Sequence, residues 1–148
     1  MTDTDAPQER SLGFLLADAV RSARRDFSQR AQGLQLTPAL ARLLYYVHRT
    51  PGSNQAELAQ RLEVTPATLG RMVDRLIEHR HVRRVEDADD RRAVRVYIDG
   101  AGEPLLERVD QIRRLTEARA MNGLSSEEQD TLLRLLTRIC LNLADNGA

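Results

Sequence analysis

The segment that begins at Asn54 constrains the fold more than any other part of the chain. Glu57 follows three residues later, which is the spacing of a capping box at the start of a short helix ending near residue 62. Thr65-Pro66 then repeats a helix start, with a hydroxyl cap and proline at the first helical position. The sequence therefore predicts two short helices joined by a brief turn.

The second of these helices has an apolar side and an arginine-bearing side. Its apolar residues recur at three- and four-residue steps, which places them on one face of a helix: Leu69, Met72, Val73, Leu76 and Ile77. Thr68, Arg71 and Arg75 fall outside that face. We expect the apolar side to pack inward and the arginines to face solvent.

Two stretches after this helix alternate apolar and polar residues, as half-buried strands do. Residues 94–98 match that pattern clearly and residues 82–85 match it more weakly. The residues between them, 86–92, are polar and charged. A hairpin with a long polar loop is therefore predicted after the helix pair.

Long leucine-rich helices flank this segment. Apolar residues recur along a helix of about 20 residues from Ser11, and further helices are predicted near 38–50, 103–122 and 126–144. The last of them is apolar on nearly all sides, so it needs burial against several neighbours. We therefore predict a mainly α fold with a small β-hairpin wing, in three parts: a flexible tail (1–10), a helical dimerisation region (11–36 and 103–148) and a winged helix-turn-helix (37–99).

Composition restricts the class of protein. At 148 residues the chain has the size of one ordinary domain, and its single cysteine, Cys140, cannot form an internal disulfide. No apolar run reaches the length of a signal peptide or a membrane span, so a cytoplasmic protein without membrane association is expected. The formal net charge is zero, which argues against a protein that coats nucleic acid non-specifically. All 22 basic residues are arginine, and eight of them lie between residues 65 and 95 among six acids.

The second short helix carries the side chains that would read duplex DNA. In a helix-turn-helix the first helix braces the second, whose N-terminal turn and exposed face enter the major groove. Arg71 and Arg75 lie one helical turn apart and offer planar forks for guanine or phosphate, while Thr68 and Pro66 offer contacts to a thymine methyl. The amides at the Thr65 end, with the helix dipole, favour a phosphate. The alternative for both arginines is a solvated surface, paired with acids of the same helix.

The hairpin loop supplies a second set of candidate contacts. Arg91 and Arg92 at its tip are placed to enter an adjacent minor groove, which A·T-rich sequence narrows and makes more negative. Asp87, Asp89 and Asp90 would repel phosphate, so we predict that they orient the arginines by bidentate pairing. An ordinary soluble turn is the alternative. The candidate DNA-binding residues are Asn54, Thr65, Pro66, Thr68, Arg71, Arg75, Arg84, Arg91 and Arg92.

These residues resemble the winged helix-turn-helix of the MarR family of bacterial transcription regulators. The matching strings are Gln55-Ala56-Glu57-Leu58-Ala59, Val64-Thr65-Pro66-Ala67-Thr68-Leu69, Val73-Asp74-Arg75-Leu76 and Asp90-Arg91-Arg92-Ala93-Val94. The match extends to the flanking helices and covers most of the chain. An Asp-Arg-Arg wing bracketed by long terminal helices is fairly specific to this family, whereas many regulators share the helix-turn-helix alone.

The resemblance implies roles for individual residues. It places the Thr65, Pro66, Thr68, Arg71 and Arg75 positions in the recognition region, Arg92 at the minor-groove position of the wing tip, and Asp90 where it fixes the wing. The chain departs from the family pattern at Arg80, where glycine usually closes the recognition helix, at His81, and at Ile98-Asp99. A non-glycine in left-handed geometry costs on the order of 1 kcal/mol, so a different helix end is expected. Asp99 is a candidate cap for the next helix.

The resemblance also implies a homodimer that acts on double-stranded DNA, most often as a repressor. Half-sites about one helical turn apart are expected for such a dimer. Family members are often released by a small aromatic or phenolic ligand, or by an oxidant, that favours a spacing unable to bind DNA. Tyr45, Tyr46 and His48 are candidates for lining a ligand pocket, with core packing or surface exposure as the alternative. Cys140 is expected to be a small buried hydrophobe.

Other functions find little support in the sequence. The chain has no glycine-rich phosphate loop, no recognisable cysteine–histidine pair and no metal-ligand spacing, so we expect neither an enzyme nor a cofactor. His79 and His81 are two residues apart, and helix geometry does not point such a pair at one metal ion. The main alternative is a winged-helix module whose arginines bind an acidic protein partner.

Overall fold

The computed structural model describes residues 11–90 and 93–144, which form six helices and a three-stranded antiparallel sheet. The predicted tail at residues 1–10 and the loop arginines Arg91 and Arg92 lie outside the described residues. In chain order the elements are α1 (Leu12–Arg30), α2 (Pro38–Arg49), β1 (Ser53–Asn54), α3 (Gln55–Leu62), α4 (Pro66–Glu78), β2 (Val82–Glu86), β3 (Val94–Ile98), α5 (Gly102–Ala120) and α6 (Ser126–Ala144). The predicted fold class is confirmed. None of the described helices is long and apolar enough to cross a membrane.

Side-chain caps start the helices largely where the sequence predicts them. Asn54 Oδ1 accepts a hydrogen bond from the Glu57 amide at 2.9 Å, and Glu57 Oε2 accepts one from the Asn54 amide at 3.0 Å, which completes the capping box of α3. The expectation that Asp99 caps α5 is wrong, since α5 begins without a side-chain cap hydrogen bond. Asp99 contributes its main-chain carbonyl instead, which accepts from the Gly102 amide at 2.7 Å.

The end of α4 is a Schellman motif centred on Arg80. Arg80 has φ +58°, in the left-handed region. The His81 amide donates to the Leu76 carbonyl at 2.8 Å and the Arg80 amide donates to the Ile77 carbonyl at 2.8 Å, so the last carbonyls of the helix are satisfied. The helix therefore ends as it would with glycine, and the expectation of a different end is wrong. Arginine adopts this geometry at a cost on the order of 1 kcal/mol.

The sheet has the order β1, β3, β2, with β3 in the centre. β1 is a strand of two residues in which Ser53 pairs with Val96, and the sequence did not predict it because so short a strand shows no alternation. β2 is one residue longer than predicted, with Glu86 opposite Val94. The polar loop of the wing therefore begins at residue 87.

The hydrophobic core lies where α2, α3 and α4 meet the sheet. Leu69, Val73 and Leu76 are buried, which confirms the predicted inner face of α4, while Met72 and Ile77 pack at its edge. The fully buried side chains are Leu43, Leu44, Val47, Leu58, Leu69, Leu76, Val73, Val82 and Val96. Because this face of α4 is fixed by packing, the opposite face points to solvent.

Gly102 is where the start of α5 meets the end of α4. A Cβ at this position would lie 2.2 Å from the carbonyl oxygen of His81, so a residue larger than glycine does not fit without a shift of the main chain. The Asp99 amide donates to the same His81 carbonyl at 3.0 Å, and the Ala101 amide donates to the Arg80 carbonyl at 3.2 Å. The backbones of the two helix ends are thus in direct contact.

A buried carboxylate links α1 to α5. Asp26 accepts hydrogen bonds from Arg30 Nε at 2.7 Å, from Thr116 Oγ1 at 2.7 Å and from the guanidinium of Arg119. The hydrogen bonds from Arg30 and Thr116, with Arg119, hold the pKa of Asp26 well below its ordinary value because they favour the charged carboxylate. The two helices are therefore joined by a polar cluster.

The last helix, α6, is exposed along its length within the described chain. It buries none of its residues, and Leu141 and Leu143 are 60% and 69% exposed. Phe14 on α1 is 71% exposed. Cys140 is also exposed, so the expectation of a buried cysteine is wrong: an apolar helix predicts burial, and nothing within the described residues covers this one.

Candidate nucleic-acid interface

The N-terminal turn of α4 is capped by a hydroxyl and open to solvent. Thr65 Oγ1 accepts a hydrogen bond from the Thr68 amide at 3.2 Å and lies 3.0 Å from Thr68 Oγ1. Thr65 and Pro66 are exposed, and Thr68 is half-buried. One of the amides expected to meet a phosphate is therefore already used by the cap.

Arg71 and Arg75 project from the exposed face of α4, one helical turn apart. Arg75 Nη2 makes a long contact of 3.5 Å with the Gln35 carbonyl oxygen. Within the described residues the ion pair of Asp74 is formed with Arg84 and not with either arginine of the same face. The guanidinium groups of Arg71 and Arg75 are therefore available to an external ligand.

Arg84 of β2 lies against the side of α4. Its Nη1 is 2.6 Å from Asp74 Oδ1, and its Nη2 is 3.5 Å from the Gly70 carbonyl oxygen. The structure thus holds this candidate residue against the helix that carries Arg71 and Arg75, with part of its charge compensated by the aspartate. This contact also joins the wing to α4.

An acid of the wing loop orients an arginine, but not one of the predicted pair. Asp87 Oδ2 accepts from Arg95 Nε at 2.6 Å, while Asp87 Oδ1 accepts from the Asp89 amide at 2.9 Å. The hydrogen bond from the Asp89 amide, and next the one from Arg95, hold the pKa of the Asp87 carboxyl below its ordinary value. The predicted partners of these acids, Arg91 and Arg92, lie outside the described residues.

The base of the wing loop is closed by main-chain hydrogen bonds. The Asp90 carbonyl accepts from the Ala93 amide at 2.9 Å, and the Asp87 amide donates to the Ala93 carbonyl at 3.0 Å. Asp90, which was predicted to fix the wing, therefore takes part in the loop through its backbone. The loop leaves and rejoins the sheet in a defined geometry.

Sequence reasoning missed Arg95 as a functional candidate. Besides its bond to Asp87, Arg95 Nη1 donates to the Gly52 carbonyl at 2.8 Å, so one side chain contacts both the wing and the turn before α3. The hydrogen bond with Asp87, and then the negative charge of that carboxylate, raise the pKa of Arg95. The available signal was a polar residue at an alternating position of β3 near the acidic start of the loop.

The candidate ligand residues do not converge on one pocket. Tyr45 is 51% exposed and His48 is exposed, whereas Tyr46 packs against the core. The rings of Tyr45 and Tyr46 touch edge to face, with centroids 5.7 Å apart. The structure therefore places an aromatic pair at the surface of α2, with His48 nearby on the same helix.

His79 and His81 lie side by side, contrary to the argument from helix geometry. Their rings stack with centroids 5.7 Å apart, because the left-handed turn at Arg80 places His81 beyond the helix. Burial, and then the neighbouring His79, lower the pKa of His81. Among residues 11–90 and 93–144, no three potential metal-ligating side chains come together.

The family model described as the MarR family matches residues 34–93, from the segment before α2 to the end of the wing loop. Among solved structures, one of MarR is 24% identical with a TM-score of 0.87, covering 95% of this chain and 95% of that chain. A mutant MarR from E. coli complexed with operator DNA is 26% identical with a TM-score of 0.77, covering 86% of this chain and 92% of that chain. The transcriptional repressor CouR bound to a 23-mer DNA duplex is 28% identical with a TM-score of 0.79, covering 88% and 92%. The match of the winged helix to this family model and the structural similarity of the helices around it support the assignment of the chain to the MarR family of winged-helix regulators.

Proposed function

We propose that the protein is a cytoplasmic repressor that binds double-stranded DNA sequence-specifically as a homodimer. The observation that carries the proposal is the outer face of α4, the recognition helix, where Arg71 and Arg75 are exposed and where Asp74 of the same helix holds Arg84. Two proteins of the same fold were solved in complex with DNA. One is the mutant MarR bound to operator DNA, and the other is the transcriptional repressor CouR bound to a 23-mer duplex. A helix of this kind fits the major groove.

The side chains of the interface divide into separate roles. Arg71 and Arg75 are the base-reading candidates, since a guanidinium pairs in bidentate fashion with guanine O6 and N7. Thr68 and Pro66 would meet a thymine methyl. We assign phosphate contacts to Asn54, Thr65 and Arg84 at the edges of the site. We assign minor-groove contacts to Arg91 and Arg92 at the wing tip.

The dimer is supported by the apolar surface that one chain leaves exposed. Leucines of α6 and Phe14 of α1 lie open to solvent, and exposed apolar patches of this kind mark protein interfaces. A two-fold axis through these helices would present two recognition helices to successive major grooves. The dimerisation region is therefore assigned to residues 11–36 and 103–148.

Release by a small aromatic or phenolic ligand is part of the same proposal. The contact between Tyr45 and Tyr46 offers a surface on which an aromatic ring can stack, and His48 offers a polar partner. A ligand shifts DNA binding only if it prefers the spacing that does not fit DNA. Thermal-shift measurements with aromatic acids on the wild type and on Tyr45→Ala test this: stabilisation of the wild type alone supports the site, and no stabilisation by any acid rejects it.

The DNA-binding function is tested by selection followed by salt titration. Purified protein is mixed with sheared DNA of the parent genome, and bound fragments are sequenced. We expect enrichment of an inverted repeat with half-sites about one helical turn apart, and a steep log-log loss of affinity with salt. Equal retention of all fragments, or no retention at low salt, would reject a specific regulator and favour a module that binds an acidic protein.

A further inference from the structure

We propose that Arg95 is a positioning residue that fixes the wing on the turn before α3 and thereby sets the contact of the wing with the minor groove. The inference rests on the proposed DNA-binding function and adds to it a residue outside the DNA-contacting set. Arg95 lies in β3, the central strand of the sheet, where it pairs with Val85 of β2 and with Asn54 of β1.

The guanidinium of Arg95 bridges two segments that are far apart in sequence. Its Nε donates to Asp87 Oδ2 at 2.6 Å, and its Nη1 donates to the Gly52 carbonyl at 2.8 Å. The same Asp87 carboxylate accepts the Asp89 amide at 2.9 Å. The bridge therefore runs from the backbone of the wing loop, through the side chains of Asp87 and Arg95, to the backbone of the turn.

The turn that Arg95 holds is itself fixed to β3 and to the end of α2, and it leads directly into α3. The Gly52 amide donates to the Val96 carbonyl at 3.1 Å, and Ser53 Oγ donates to the Thr50 carbonyl at 2.9 Å. The next residue, Asn54, caps α3, which packs against the recognition helix. The turn therefore links the position of the wing loop to the position of the helix-turn-helix.

Arg95 is not itself a DNA contact in this arrangement. The Asp87 carboxylate, with its side chain 9% exposed, compensates its charge at short range, and the Gly52 carbonyl occupies a second donor. An arginine that reads phosphate or a groove must offer its donors to the ligand. Arg84 differs from Arg95 in this respect, because its partner Asp74 is 61% exposed and its contact with the Gly70 carbonyl is long, at 3.5 Å. The other strand of the hairpin, β2, is held separately through the contact of its Arg84 with Asp74 of the recognition helix. Loss of Arg95 therefore removes the side-chain tie between the wing loop and the turn before α3, while the main-chain hydrogen bonds of the loop and the contact of Arg84 with α4 remain.

The test compares Arg95→Gln with Arg61→Gln on two duplexes that share a genome-selected operator and differ only in A·T or G·C flanks. Arg61 is an exposed arginine of α3 and controls for the loss of one charge. We expect Arg95→Gln to lose on the order of tenfold in affinity for the A·T-flanked duplex and little for the other. Arg61→Gln should affect both duplexes equally. Asp87→Asn should reproduce the Arg95→Gln pattern, without an additive effect in the double variant.

A second readout needs no DNA. Hydrogen exchange of the Asp89 amide, which donates to Asp87, should accelerate in Arg95→Gln and stay unchanged in Arg61→Gln. Equal losses on both duplexes, or unchanged exchange, overturn the positioning role while DNA binding by the wild type still stands. If the wild type binds neither duplex, the proposed function fails and the positioning role fails with it.

Discussion

Arg84 of β2 and Asp74 of the recognition helix form the ion pair that joins the wing to that helix, with Nη1 2.6 Å from Oδ1. The side chains are 32% and 61% exposed, so solvent screens the pair and its contribution to stability is below about 1 kcal/mol. The orientation of Arg84 beside the proposed DNA surface is therefore its main physical effect.

Replacement of Asp74 should change specificity more than stability. We expect Asp74→Ala to lower the ratio of affinities for the selected operator and for a shuffled duplex by about five- to tenfold, because Arg84 loses its fixed position. Glu78→Ala removes an exposed acid from the same helix and is the matched control for charge. Affinities of both variants by fluorescence anisotropy give the ratio. Equal ratios in the two variants would show that the ion pair does not orient Arg84 for DNA.

The base-reading role of Arg71 and Arg75 predicts losses confined to single positions. Arg71→Ala or Arg75→Ala should cost about 1–3 kcal/mol on the selected operator and relax the preference at one base pair of each half-site. Binding to a library of single-base operator variants measures this. A uniform loss across the library would reassign both arginines to phosphate contacts.

The exposed leucines of α6 predict a dimer that a single charge disrupts. Leu141→Glu or Leu143→Glu should yield monomers at micromolar concentration, because each side chain is more than half exposed in one chain and would be buried in the pair. Operator affinity should fall by about 10²- to 10⁴-fold with the loss of bivalent binding. Ala39→Glu places the same carboxylate on the exposed first turn of α2 and should remain dimeric. Light scattering after size exclusion decides, and dimeric Leu141→Glu and Leu143→Glu would contradict the interface.

The left-handed backbone of Arg80 predicts a stabilising substitution. Arg80→Gly should raise the free energy of unfolding by about 0.5–1 kcal/mol, since glycine adopts φ +58° without the penalty of a Cβ. Arg80→Val should lower it, because a branched side chain tolerates this geometry least. Urea denaturation without DNA provides both values. A loss of stability in Arg80→Gly would mean that contacts of the arginine side chain outweigh the backbone cost.

The Asp26 cluster predicts an acid-sensitive contribution to stability. The folded-state pKa of Asp26 lies below its ordinary value of 3.8, so the unfolded chain binds the proton first as the pH falls. Stability from this group is present above about pH 4 and is lost as the pH falls from there toward the folded-state pKa. Asp26→Asn should therefore be less stable than the wild type at pH 7, and the gap should narrow in urea titrations below pH 4. A gap that stays constant with pH would exclude ionisation of Asp26 as its cause.

The helices could be predicted because their signals are local. Asn54 with Glu57, and Thr65 with Pro66, mark helix starts within four residues, and the inner face of α4 follows from its spacing alone. β1 could not be predicted in this way, since its two residues form a strand only because β3 lies beside them. The burial of Cys140 was predicted wrongly because an apolar helix shows the need for a partner but not where that partner is.

The outer face of the recognition helix was likewise predictable, while the contacts that organise it were not. Asp74 and Arg84 are separated by ten residues, and Gly52 and Arg95 by 43, so their pairing depends on how the sheet is placed against the helices. Several arginines lie close in sequence to the acids of the wing, so the sequence does not decide which of them each acid pairs with. The alternation of β3 supplied the position of Arg95 but not its partners.

The close contact at Gly102 determines how a displacement of α5 reaches the end of α4. At this position the main chain of α5 rests on the carbonyl of His81, just past the end of α4, with two main-chain hydrogen bonds between the segments. A side chain in the gap could change rotamer and absorb a small displacement, whereas bare backbone at van der Waals distance cannot. A displacement of the start of α5 would therefore be passed directly to the C-terminal end of the recognition helix, because no side chain lies between the two to absorb it.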